Sequence, residues 1–139
     1  MKNIVLLGGS NSVMVNGLQK VLKEYANVIN LALGCTTSLQ NLYELKREKN
    51  QEAAQNADLI ITESVINELD IHNIRENLSL GIIFKNLYAT LYTFNRPVCI
   101  LILPYRFKNY QIVINMHRFL ANYYGLILLI CKSTIKIMK

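Results

Sequence analysis

Val5-Leu6-Leu7-Gly8-Gly9-Ser10-Asn11-Ser12 is the stretch that decides how this chain is read. An apolar run from Asn3 to Leu7 stops at two glycines, a serine follows, and apolar residues at helical spacing resume from about Val13. The pattern is strand, tight turn, helix. It leaves Ser10 at the carboxyl end of a strand, beside the free backbone N–H groups of a helix start, where an anion is stabilised. In an open α/β sheet that edge is where ligands bind. Taken alone, the turn fits three roles: a plain turn, a phosphate cradle, or the seat of a nucleophile.

Outward from this turn, Val15, Leu18, Val21, Leu22 and Tyr25 predict an amphipathic helix over about 13–25. Val28 to Leu33 reads as a second strand, ended by Gly34-Cys35-Thr36-Thr37-Ser38, where Thr37 or Ser38 can cap the next helix. That helix runs through Leu39, Leu42 and Leu45 and continues, after a break near Asn50, to Asn56. Asp58 to Thr62 shows no alternation, as a strand buried on both faces does. A loop follows at Glu63-Ser64-Val65-Ile66-Asn67-Glu68, and then a long helix over about 70–94 with Gly81 in its middle. Val98 to Leu103, stopped by Pro104, is a fourth strand, and a helix through Ile112 and Tyr123 ends at Gly125. Leu126 to Cys131 is a fifth strand. Strands and helices alternate with short connections, so we expect one domain over 1–139: a three-layer α/β/α, flavodoxin-like parallel sheet of about five strands. The loops at Ser10, Gly34 and Asn67 then converge on one edge.

Composition narrows the function classes. With 52% hydrophobic and 17% charged residues among 139, the chain can bury a proper core. No apolar run reaches the length of a membrane span, and Met1-Lys2 opens no signal-peptide pattern, so a cytoplasmic location is expected. Cys35, Cys99 and Cys131 form neither a disulfide framework nor a metal-ligand spacing, and no cofactor is implied. The net charge of +6 draws on Lys132, Lys136 and Lys139 at the tail. Lys46, Arg47 and Lys49 are offset by Glu44, Glu48 and Glu52, a mix that reads as a solvated face. No basic stripe with interleaved aromatics appears, so nucleic acid is not an expected partner.

A serine after the first strand, a glycine after the second and an asparagine after the third are the parts of an acyl-transfer site: nucleophile, backbone N–H and side-chain amide. In these three ordered blocks the chain resembles the SGNH hydrolases, also called the GDSL esterases and lipases. Gly8-Gly9-Ser10 stands for Gly-Asp-Ser, with Gly9 where the aspartate is common. Asn30-Leu31-Ala32-Leu33-Gly34-Cys35 looks like the second block, and Ser64-Val65-Ile66-Asn67-Glu68 like Gly-x-Asn-Asp, with Glu68 for the aspartate and Val65 for the glycine. The resemblance implies Ser10 as nucleophile and the N–H of Ser10, the N–H of Gly34 and the amide of Asn67 as oxyanion donors; Cys35 is the alternative to Gly34. It further implies an ester substrate, such as an O-acetylated sugar or a surface polysaccharide precursor.

The family's fourth block, Asp-x-x-His, has no counterpart here. The two histidines are His72, near enough to Asn67 in sequence to serve as the base, and His117, which reads as structural or exposed. Without a base the serine is a poor nucleophile, so impaired catalysis is expected. A different reading is a non-catalytic module whose Gly8-Gly9-Ser10 and Thr36-Thr37-Ser38 loops hold phosphate or a nucleotide.

The stretch 126–139 contains no acid. Back-translated with A/T-rich codons and read in a displaced frame, it becomes Asn-Phe-Ile-Asp-Leu-Gln-Glu-Tyr-Tyr-Lys-Asn-Asn-Glu, a strand, an acidic turn and a helix start. We therefore expect a one-nucleotide deletion after the Leu126 codon that truncates a longer hydrolase and leaves apolar surface uncovered. Sequencing the gene past its stop codon should reveal an open frame running to an Asp-x-x-His motif; a frame closed in all phases refutes the deletion.

Overall fold

The computed structural model describes residues 1–63, 65–68, 78–104 and 110–131. Five strands form one parallel sheet: β1 (Asn3–Gly8), β2 (Asn27–Asn30), β3 (Leu59–Glu63), β4 (Val98–Ile102) and β5 (Ile127–Ile130). Their order is β2-β1-β3-β4-β5. The helices are α1 (Ser10–Val13), α2 (Leu18–Tyr25), α3 (Ser38–Lys46), α4 (Glu48–Gln55), α5 (Leu78–Thr93) and α6 (Tyr110–Tyr124), and Val65–Asn67 forms a 3₁₀ turn. This is the expected α/β architecture. The chain reverses direction of travel at β1, so the crevice between the carboxyl ends of β1 and β3 is the switch point at which doubly wound sheets take ligands.

Strand pleat divides the core. Val5, Leu7, Ile60, Val98, Ile100 and Ile102 face α3 to α6, meeting Leu45, Phe84, Leu87, Tyr88, Leu91 and Val113. Ile4, Leu6, Ile61 and Leu101 face the other way, where Leu18 and Leu22 of α2 pack against them. Ile60, Ile61 and Thr62 are all buried, so β3 is covered on both faces, as its unbroken apolar run predicts. At β5, Leu128 and Ile130 join the larger cluster while Ile127 and Leu129 remain 58% and 53% exposed. Apolar surface is therefore uncovered on the last strand.

The element bounds depart from the sequence reading where polar side chains intervene. The helix expected over 13–25 breaks between Val13 and Leu18. There Gln19 Nε2 donates to the Val13 carbonyl at 2.6 Å, and Gly17 lies so close to the Asn11 carbonyl that a Cβ would collide with it. β2 stops at Asn30 because its side chain turns back to accept from the Ala32 N–H at 3.0 Å; Leu31 and Leu33 still donate to Leu6 and Gly8. The break after α3 falls at Arg47 rather than near Asn50, with Asn50 Nδ2 bonded to the Glu44 carbonyl at 3.0 Å and to its carboxylate at 2.7 Å. Glu44, read as part of a solvated face, is buried and also holds Arg47 at 3.0 Å. Of the long helix expected over 70–94, the first part lies outside the described residues. Gly81 makes an ordinary contact, its Cβ position 3.4 Å from Met116 Cε, and Gly125 ends α6 with φ +66°.

The two faces of the sheet should respond differently to truncation. Ile102→Ala removes a fully buried side chain and should cost about 2–5 kcal/mol, whereas Leu129→Ser should cost about 1 kcal/mol or less. Urea unfolding of both variants measures the difference; equal losses would show that β5 is covered.

Candidate active site

The turn after β1 is built on two glycines for two separate reasons. Gly8 has φ +151°, and a Cβ there would strike the Glu63 carbonyl and approach Ser12 Oγ to 2.6 Å. Gly9 lies directly against the Asn67 carboxamide, leaving no room for any side chain. Ser10 follows, half-buried, as the first residue of α1. The closeness of Gly9 to Asn67 thus brings the first and third sequence blocks together.

Asn67 ends the 3₁₀ turn after β3, and its Nδ2 is buried with no hydrogen-bond partner among the described residues. A buried donor left unpaired costs roughly 1–3 kcal/mol, so a ligand, a water or another polar group is expected to complete the bond. Two buried carboxylates flank it. Glu63 Oε1 accepts from the Gly9 N–H at 3.2 Å, the Ser12 N–H at 3.1 Å and Ser12 Oγ at 2.9 Å. Glu68 Oε1 accepts from the Ser38 N–H at 2.6 Å, at the start of α3. Burial pushes both carboxyls above the usual carboxylate range, against the opposing pull of those hydrogen bonds. Among the described residues neither is paired with a cation.

The loop after β2 is tied to the same edge by the Leu33 N–H, which donates to the Gly8 carbonyl at 3.1 Å, and by the Glu68 bond to Ser38. Within it the left-handed conformation that favours glycine falls on Cys35, with φ +58°, and not on Gly34. A Cβ at Gly34 would meet nothing within 4 Å, so packing does not require a glycine there. Thr37 is the N-cap of α3, its Oγ1 accepting from Leu39 at 3.4 Å.

His72 lies outside the described residues. His117 is structural: it is buried on α6, with Nδ1 2.8 Å from the Tyr88 hydroxyl and its ring 4.3 Å from that of Phe84. Burial raises the Tyr88 hydroxyl far above its ordinary value, so Tyr88 stays protonated. Among the described residues no group of three or more His, Cys, Asp or Glu is placed to hold a metal, and no helix is long and apolar enough to cross a membrane.

The sequence reading missed the residues that hold the turn in place: Glu63, Ser12, Asn30 and Gln19. Asn30 Nδ2 donates to the Ser12 carbonyl at 2.8 Å and Gln19 Nε2 to the Val13 carbonyl, so the single turn of α1 is held at its carboxyl end as well as by Glu63 at its amino end. One signal was available for Glu63. An acidic residue directly continuing a fully buried strand must find donors nearby.

The turn's steric demands separate two glycines. Gly9→Ala should displace Asn67 and lower stability by about 1–3 kcal/mol, while Gly34→Ala should be tolerated within about 0.5 kcal/mol. Denaturant unfolding of the two variants decides; a harmless Gly9→Ala would show that the Asn67 contact is absent.

Neither a protein-family model nor a curated protein matches the sequence. Solved structures do match in three dimensions. AlinE4, a SGNH-hydrolase family esterase, superposes with a TM-score of 0.72 at 17% identity, over 91% of this chain and 74% of that one. The psychrotrophic esterase EstA from Pseudoalteromonas sp. gives 0.70 at 14%, over 94% and 78%. A lipase/acylhydrolase from Enterococcus faecalis gives 0.68 at 13%, over 92% and 75%. This chain therefore spans about three quarters of each neighbour. With the order β2-β1-β3-β4-β5 and these superpositions together, the chain has the fold of the SGNH-hydrolase esterases.

Proposed function

We propose that this chain is a serine ester hydrolase or acyl transferase of SGNH type. The observation that carries the reading is the Asn67 Nδ2 donor, buried and without a partner among the described residues, against the residue that precedes Ser10. In this reading Ser10 Oγ gives its proton to a base and attacks an ester carbonyl; the ester C–O bond breaks, the alcohol leaves with that proton, and water or an acceptor hydroxyl then cleaves the acyl-enzyme. The oxyanion accepts from the Ser10 N–H, the Asn67 amide and a backbone N–H of the Gly34–Cys35 turn, where Gly34 is the donor implied by sequence and Cys35 the alternative. The three neighbours are two esterases and a lipase/acylhydrolase, which supports an ester as substrate. An O-acetylated sugar or a polysaccharide precursor in the cytoplasm is the substrate and setting we favour.

The base is the weak part of the site. His117 is engaged by Tyr88 in the core, so within this chain a general-base role falls to His72. Slow turnover follows if His72 does not reach Ser10, because the oxyanion donors alone retain only a small part of such a site's rate. Phosphate or nucleotide binding at the first turn fits less well. The Gly9 and Ser12 N–H groups that would cradle an anion already donate to the Glu63 carboxylate, and a second anion there would meet its charge.

Hydrolysis of p-nitrophenyl acetate and labelling by an alkyl fluorophosphonate, read by intact mass, test the reading. Ser10→Ala should abolish both, and Asn67→Ala should reduce the rate by about a hundredfold. Hydrolysis or labelling that survives Ser10→Ala would refute it.

A further inference from the structure

We propose that Glu63 is the positioning residue of the Ser10 turn, holding it in register with Asn67 only while its carboxylate is ionised. The proposal rests on the proposed acyl-transfer reading for its kinetic consequence, but its structural content stands apart from it. One carboxylate oxygen accepts three bonds, from the Gly9 N–H, the Ser12 N–H and Ser12 Oγ, at 3.2, 3.1 and 2.9 Å. These donors lie on either side of Ser10 in sequence. The Glu63 backbone adds a fourth tie, its carbonyl accepting from the Gly9 N–H at 3.1 Å.

The charge on Glu63 matters because three donors on one oxygen suit an anion and suit a neutral carboxyl or amide poorly. The groups facing it are the Gly9 and Ser12 amides, the Ser12 hydroxyl and the Asn11 side chain. The other ionisable group on the same loop is Glu68, which is turned to Ser38. No cation pairs with Glu63 among the described residues, so nothing but these donors supports the charge. Burial opposes ionisation, and the folded carboxyl holds its proton more tightly than the unfolded one. Its contribution to stability is therefore greatest at low pH and declines as pH rises through the raised value. Function and stability pull in opposite directions at this residue. Ionised Glu63 orders the turn at a cost to the fold, and neutral Glu63 relieves the fold and slackens the turn.

The test is a set of amide ¹H–¹⁵N spectra of the full chain between about pH 4 and 8, for the wild type, Glu63→Gln and Ser12→Ala. The Gly9 and Ser12 amides should shift together with one midpoint in the wild type and stop titrating in Glu63→Gln, while the Ser38 amide continues to follow Glu68. Glu63→Gln should melt no lower than the wild type at neutral pH. Its kcat on p-nitrophenyl acetate should nevertheless fall about ten- to a hundredfold with little change in KM, and the wild-type rate should rise with the same midpoint. Should Glu63→Gln not fold, Ser12→Ala decides: it keeps the carboxylate and removes one donor, so the Gly9 midpoint should move up. Gly9 and Ser12 amides that titrate separately, or a midpoint indifferent to both substitutions, would overturn the proposal. A wild type lacking Ser10-dependent hydrolysis would refute the esterase reading, and the amide titration would still decide the role of Glu63.

Discussion

The bond set around the Glu63 carboxylate is the constraint on which the site depends. Glu63 ends β3, its donors sit in the turn after β1, and the two strands are paired in register from Ile4 with Leu59 to Gly8 with Glu63. A buried carboxylate without a cation must have these donors or lose its charge. The pairing of β1 with β3 and the shape of the Ser10 turn are thus one event. Because β1 and β3 flank the switch point, the same event opens the crevice in which the site lies.

Around that contact Glu63 and the described residues 65–68 act as a hub. Glu63 grips the first turn, Glu68 grips the start of α3, and Asn67 between them presents an Nδ2 donor with no partner among the described residues. Gly9 makes the arrangement possible by leaving Asn67 the space that a side chain would occupy. Two buried carboxylates and an unsatisfied donor in one short loop are costly to the fold. Proteins keep such groups where a site requires them.

Much of this was legible before any coordinates. The strand runs read over 3–7, 58–62 and 98–103, largely apolar and without alternation, indicated buried parallel strands, and all three form strands in the sheet. The glycines at 8 and 9 marked a tight turn, and Asn67 stood out as the amide of the third block. Other features escaped because they are set by side chains that act at a distance. Asn50 and Arg47 hold Glu44, which moves the helix break and buries a charge that periodicity assigns to solvent. Gln19 and Asn30 take the carbonyls at the end of α1, and the helix that periodicity reads over 13–25 starts only at Leu18. The left-handed position in the second loop falls on Cys35 and not on Gly34, a backbone property that residue type does not announce.

The sequence by itself determined the strand and helix alternation, the parallel sheet and the three loops gathered at one edge, because hydrophobic periodicity and glycine placement are local and survive without neighbours. It also determined that His72 and His117 are the chain's two histidines, since residue type needs no fold. Only the tertiary structure decided that Gly9 touches Asn67, that Glu63 ties the Ser10 turn to β3, and that His117 belongs to Tyr88 in the core. Those contacts join residues dozens of positions apart, and hydrogen-bond partners at that separation are chosen by which strands become neighbours, a property of the whole fold.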